Sequence, residues 1–179
     1  MVDSSMHATV PHPPSRARRG RIRAARAAFA LTLVLAAGCV GRRPPSDCAP
    51  PLGTVTFPGG KSICVEVAQS SEMRARGYMF REKVGRDEGM VFLMETTDLH
   101  PFWMKNCKTS LDIIWMDEEW RVVHIAASVP PCMADPCPSY GTMSKSRYIL
   151  EVGAGESGYL GIYPGMTLRF EPPSGEARK

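Results

Sequence analysis

From residue 52 onward, short apolar stretches recur at close spacing, most of them bounded by Gly or Pro. Ile63, Val65 and Val67 alternate with Cys64 and Glu66, the period of two that a strand with one buried face requires. Met90-Val91-Phe92-Leu93-Met94 and Leu111 to Met116 are continuous apolar runs of strand length, which suits burial on both faces. Asp117-Glu118-Glu119 supplies a tight turn, and Trp120 to Ala126 returns with Val123 and Ile125 alternating, so this stretch reads as a hairpin. Tyr148 to Val152 and Met166 to Phe170 bring the total to six or seven strands. One helix interrupts them: Ser70 or Ser71 can cap it, Glu72 sits in its positive first turn, and Gly77 ends it. The pattern predicts a mainly β domain, an antiparallel β-sandwich or barrel, with one short α-helix.

The N-terminus breaks this pattern. Arg16, Arg18, Arg19, Arg21, Arg23 and Arg26 form a basic region, and the 11 residues from Ala27 to Ala37 form an apolar stretch. A permanent span needs ~20 residues, so this segment reads as a secretory signal instead. Leu35-Ala36-Ala37-Gly38-Cys39 resembles a bacterial lipobox, with Ala36 where Leu is usual. The expected organisation is a lipoprotein signal peptide over 1–38 and a Pro-rich tether over 39–51. A single β domain over 52–173 and a disordered tail over 174–179 follow. Lipidation at Cys39 would anchor the chain to a membrane, facing the periplasm or the cell surface. Val40 and Gly41 follow the Cys without an acidic residue, which points to onward transfer where an outer membrane exists.

Charge changes the picture only by exclusion. Residues 1–38 hold six of the 22 Lys+Arg and one of the 18 Asp+Glu, leaving 16 basic and 17 acidic groups in 39–179. A near-neutral domain without a basic run offers no footprint for nucleic acid. Export permits disulfides among the five remaining Cys. Cys132 and Cys137, each beside a Pro in Pro130 to Pro138, read as a closed structural loop. For the rest, Cys48 with Cys64 is the preferred pairing and Cys64 with Cys107 the next.

Three blocks in order carry a family resemblance: Arg76-Gly77-Tyr78-Met79-Phe80-Arg81, Asp87-Glu88-Gly89-Met90-Val91-Phe92, and Phe102-Trp103-Met104-Lys105-Asn106 followed by Leu111-Asp112-Ile113-Ile114-Trp115. With Tyr148-Ile149-Leu150-Glu151 and Gly165, they resemble the bacterial and archaeal domain of unknown function 192 over roughly residues 54–171. The resemblance implies a compact, jelly-roll-like β-sandwich with one short helix, often exported, and no established activity. Cys107 stands where that family more often has Thr, and Tyr78 where Leu is usual.

Within these blocks the polar residues Arg74, Arg76, Glu88, Lys105, Asn106 and Asp112 are the candidates for chemistry. Asp112 is the most unusual, because it interrupts a core-like run where an unpaired carboxylate costs several kcal/mol. Lys105 or Arg76 could supply its counter-charge and Asn106 a hydrogen bond. Two readings follow: a structural ion-pair network, or a ligand-binding pocket of Arg76, Trp103, Lys105, Asn106 and Asp112. The Met residues at 73, 79, 90, 94, 104 and 116 read as core filler rather than copper ligands, and His100 and His124 as hydrogen-bonded neighbours. No metal or cofactor motif is present, and no nucleophile elbow or zinc-protease signature. The sequence therefore predicts a lipid-anchored, non-catalytic binding or accessory module for a small molecule, glycan or envelope partner. The alternatives are an envelope hydrolase using Asp112 or Glu88, in principle as a pair, or a purely structural envelope protein.

Overall fold

The computed structural model describes Cys48 and residues 51–174. The signal segment, Cys39, most of the tether and the chain beyond Ser174 lie outside those residues. Among the described residues, nine strands and two short helices run in the order β1 (Gly53–Thr56), β2 (Ser62–Ala68), α1 (Ser71–Arg76), β3 (Glu88–Asp98), β4 (Phe102–Trp103), β5 (Leu111–Met116), β6 (Val122–Val129), β7 (Ser139–Tyr140), β8 (Ser146–Gly153), α2 (Glu156–Leu160) and β9 (Arg169–Glu171). Seven strands form one sheet in the order β6-β5-β8-β3-β2-β1-β9, and β4 pairs with β7 as a separate ribbon. No helix among the described residues is long and apolar enough to cross a membrane.

The mainly β expectation holds, with two differences. β2 and β3 run parallel, whereas every other strand pairing is antiparallel. A parallel return needs a connection of about a dozen residues or more, usually helical, and the stretch containing α1 supplies it. The second difference is α2, which is five residues long, contains Gly158 and leaves no apolar periodicity to read. α1 forms as its sequence dictates: the Ser70 side chain accepts from Met73 N–H, and Gly77 closes the helix with φ 46°. The β5–β6 hairpin also forms, its turn organised by Asp117, whose Oδ1 accepts from Glu119 N–H at 3.0 Å and Arg121 N–H at 2.8 Å. Both preferred disulfides, Cys48–Cys64 and Cys132–Cys137, are present, and Cys107 is a free thiol.

The sheet carries apolar packing on both faces. One face holds Val55, Val65, Val91, Ile114, Leu150 and Val152, covered by Leu160, Ile162, Met166 and Leu168. The opposite face holds Met90, Phe92, Ile113, Trp115 and Ile149, covered by Tyr78 and Met104. Double-sided burial explains why all six residues of β5 are buried and why this strand reads as an unbroken apolar run. On the second face, Phe92, Phe102 and Trp115 form an edge-to-face series with centroids 4.9 and 6.1 Å apart. Trp115 Nε1–H donates to the His100 carbonyl at 2.8 Å, which fixes the approach to β4.

Asp112 is fully buried and receives no charge partner among the described residues. Its carboxylate instead accepts three backbone N–H groups: Ser128 at 2.7 Å and Gly155 at 3.1 Å on Oδ1, and Ser157 at 2.8 Å on Oδ2. Ser128 sits at the β6 bulge with φ 52°, and Gly155 and Ser157 open α2. The expected pairing with Lys105 or Arg76 does not form, because those two side chains line the opposite face of the sheet with Glu151. An amide at this position keeps only one acceptor oxygen and turns an NH2 toward a backbone N–H. Asp112→Asn is therefore expected to lower the unfolding free energy by about 2–4 kcal/mol in urea titration. A loss under about 1 kcal/mol would show that these three hydrogen bonds do not organise the fold.

Candidate functional site

The pleat decides which candidate residues meet. Asp112 pairs with Val152, and Ile113 with Glu151. Successive strand residues point to opposite faces, so Glu151 and Asp112 lie on opposite sides of the sheet. Met90 pairs with Glu151 across β3, which puts Glu88, two residues away, on the Glu151 face and opposite to Asp112. Glu88 Oε2 accepts from Gly85 N–H at 2.9 Å in the turn before β3. The carboxylate pair expected for hydrolysis, Asp112 with Glu88, is thus separated by the sheet itself.

A concavity opens on the Glu151 face. Its walls are the α1 end and the segment after it (Arg74, Arg76, Gly77, Tyr78) and the β4 side (Phe102, Trp103, Lys105, Cys107). Glu151 and Phe92 also line it, and it offers about 30 Å³ to the centres of water-sized molecules. That is room for about two waters at ~10–15 Å³ each. Arg81 holds one wall by a two-point ion pair from its guanidinium to Glu66 on β2. The walls meet where Phe80 N–H donates to the Asn106 carbonyl at 2.8 Å. On the far side, Cys132 N–H donates to the Met104 carbonyl at 3.1 Å, and Lys105 Nζ lies 3.1 Å from both Asp135 oxygens.

Three of the five residues expected at a binding site, Arg76, Trp103 and Lys105, line this concavity. Trp103 is 52% exposed, an unusual placement for an indole, and Lys105 Nζ lies 5.7 Å from its ring centroid. Asn106 stands beside the site, its amide 3.7 Å from Met79 Sδ and its φ at 57°. Asp112 belongs to the other face. Arg74 is occupied structurally: it donates to the carbonyls of Gln69 at 2.7 Å and Leu93 at 3.2 Å and pairs with Glu95 at 2.5 Å. Met90, Met104 and Met116 are buried core residues, whereas Met73 is exposed. His100 Nε2 lies 2.9 Å from the Thr96 carbonyl, and His124 packs on Trp115 with centroids 5.4 Å apart. Cys132, Asp135 and Cys137 offer ligand atoms within 4.8 Å of one another, but the two sulfurs are joined and offer no thiolate to a metal.

The residue that sequence reasoning passed over is Glu151. It is 4% exposed, and its Oε2 has no hydrogen-bond partner. The signal was the one used for Asp112, a carboxylate inside an apolar run, here Tyr148 to Val152. Burial pushes the Glu151 carboxyl up to about 8. Burial, and then the Glu151 charge, push the Cys107 thiol up to about 11. The Tyr78 phenol is raised for the same first reason, and then by Glu66 and Glu151. At neutral pH the site therefore presents a protonated carboxyl, a thiol and a phenol, with no thiolate for nucleophilic work.

Protonation links the site to stability. Below about 4.5, the ordinary value for such a carboxyl, both folded and unfolded chains hold the proton. Between there and about 8 the unfolded chain releases a proton that the folded chain keeps, so stability falls as pH rises, and it levels off above about 8. Glu151→Gln removes this dependence. The variant's stability relative to the parent is expected to improve from pH 5 to pH 8 by an amount on the order of 2–4 kcal/mol. Urea titrations at the two pH values measure it, and equal differences at both would show that Glu151 is not buried as described.

No curated protein matches the sequence. Among solved structures, the chain is similar to a protein of unknown function from Novosphingobium aromaticivorans DSM 12444, at 34% identity and a TM-score of 0.59. That match covers 66% of this chain and 83% of the other. It is also similar to a candidate transcription regulator from Sinorhizobium meliloti 1021, at 26% identity and a TM-score of 0.59 over 66% of this chain and 92% of that one. A family profile described as "Uncharacterized ACR" matches residues 54–170, which include every strand residue from Thr54 to Phe170 and all the walls of the concavity. The chain belongs to that family, domain of unknown function 192.

Proposed function

We propose that the chain is an exported binding module, anchored through a lipid at Cys39, that holds a small ligand in the concavity between α1 and β4. The observation that carries this reading is the unpartnered Oε2 of Glu151, buried at a site with solvent access and an exposed Trp103 beside it. Buried polar atoms are nearly always satisfied, so an orphan oxygen in a concavity is one that a bound group or water can satisfy. Convergent polar groups among aromatic walls are the usual make-up of a small-molecule site. The reading is non-catalytic because the nearby thiol and phenol are held protonated, and the carboxylates once paired for hydrolysis face apart. Regulation of transcription, attached to the Sinorhizobium protein, is not carried over: residues 39–179 hold 16 basic and 17 acidic groups.

Two measurements check this. Full-length chain expressed in a bacterial host should incorporate labelled palmitate and sediment with membranes, and Cys39→Ser should do neither. A thermal-shift panel of sugars, amino acids, muropeptides, organic acids and nucleotides should yield a stabilising compound. A ligand at ~100 times its dissociation constant adds ~2.7 kcal/mol. Trp103→Ala should abolish that shift while leaving the unliganded midpoint within about 2 °C, since the indole is largely exposed. A panel without any shift sensitive to Trp103→Ala overturns the binding site.

A further inference from the structure

We infer that the ligand class of this concavity is a small organic carboxylate, received at the floor by the Glu151 carboxyl as hydrogen-bond donor and at the mouth by Arg76. This deepens the binding reading and rests on it. Four observations converge. Glu151, Arg76 and Trp103 line the same concavity, so one small ligand can meet all three. The buried Oε2 of Glu151 lacks a partner, so a ligand oxygen there replaces nothing in the fold. Carried protonated at neutral pH, that carboxyl donates to an anion instead of repelling it.

The fourth observation is charge. Arg76 makes no ion pair or side-chain hydrogen bond among the described residues, whereas Arg74 is tied to Glu95 and Lys105 to Asp135. One free guanidinium therefore sits at the mouth, the group best shaped to take a carboxylate by two parallel hydrogen bonds. The α1 C-terminus also faces the site and opposes an anion, but a helix end carries at most ~0.5 of a charge, against the full charge of Arg76. The exposed Trp103 ring then offers a flat apolar surface to whatever body the carboxylate belongs to. A sugar acid and a peptide C-terminus both present this chemistry.

Proton linkage supplies the test. Glu151 on β8 is faced by Tyr78, Arg74 and Arg76 from the α1 side and by Cys107 and Lys105 from the β4 side. Glu66 and Glu88 lie toward the Tyr78 phenol. The thiol and the phenol are both pushed above their ordinary values, which leaves Glu151 to titrate between pH 7 and 9. A ligand that accepts from the protonated carboxyl should bind about thirtyfold more weakly at pH 9.5 than at pH 7. Calorimetric titration of the full chain would use acetate, N-acetylmuramate and N-acetyl-D-alanine. Acetamide, N-acetylglucosamine, methylamine and inorganic phosphate are the matched controls.

The expected result is binding of carboxylates over their neutral controls, a loss of affinity with rising pH, and about tenfold weakening in Arg76→Ala. Glu151→Gln keeps an N–H donor, so it should retain binding and abolish the pH dependence, an outcome that a merely structural Glu151 would not give. Preference between muramate and N-acetyl-D-alanine distinguishes the two sources. Tighter binding of methylamine or phosphate, or carboxylate binding unchanged by pH, overturns the carboxylate assignment. If a different class from the wider panel then shows a shift sensitive to Trp103→Ala, the site stands and only its ligand class is wrong. Silence in both experiments removes the site itself.

Discussion

Three backbone N–H groups converge on the carboxylate of Asp112, and much of the domain's geometry hangs on that convergence. They come from the β6 bulge at Ser128 and from Gly155 and Ser157 at the start of α2. A buried carboxylate without partners costs several kcal/mol, and main-chain donors meet that cost without importing a second charge. The consequence is register. With α2 and the bulge both tied to Asp112, β5 and β8 are held at the pairing Asp112 to Val152 and Ile113 to Glu151. A slip of one residue would turn Glu151 to the other face and erase the concavity.

The two buried carboxyl groups of neighbouring strands thus make a contrast. Asp112 has both oxygens satisfied by the fold, while Glu151, one residue along in the paired register and on the opposite face, has an oxygen left open. No donor among the described residues reaches that oxygen, although the Gly77 main chain runs close: a Cβ there would lie 3.7 Å from Oε2. Sites kept for ligands commonly lower the stability of the free protein in this way. The fall in stability expected between pH 4.5 and 8 follows from burial of that carboxyl, and not from any surface ion pair.

Features set by neighbours in sequence were legible before the structure. The Ser70 cap, the Gly77 stop, the β5–β6 hairpin and the short Cys132–Cys137 loop each depend on residues a few positions apart. The parallel β2–β3 pairing and the partners of Asp112 depend on contacts up to 45 residues apart, which periodicity does not encode. Arg76, Trp103 and Lys105 were found because polar and aromatic residues stood out within the familiar blocks. Asp112 stood out for the same reason and proved to serve the main chain. Glu151 was overlooked beside it, since only the pleat and the pairing register reveal which carboxylate meets a concavity.

The concavity is also held open by backbone that resists relaxation. Gly77, Phe80 and Asn106 all have positive φ, at 46°, 67° and 57°. Glycine accepts this freely, but a left-handed Phe is uncommon, and its ring is 60% exposed, so core packing does not explain the conformation. The Phe80 N–H to Asn106 carbonyl bond at 2.8 Å crosses from one wall to the other and holds both residues in place. Left-handed non-glycine residues cost on the order of 1–3 kcal/mol each and persist where surrounding contacts over-determine them. Two such residues joined beside the concavity, each next to a lining residue (Met79 and Lys105), favour a site formed before its ligand arrives. Less ordering entropy is then lost on binding, which matters most for a ligand too small to make many contacts.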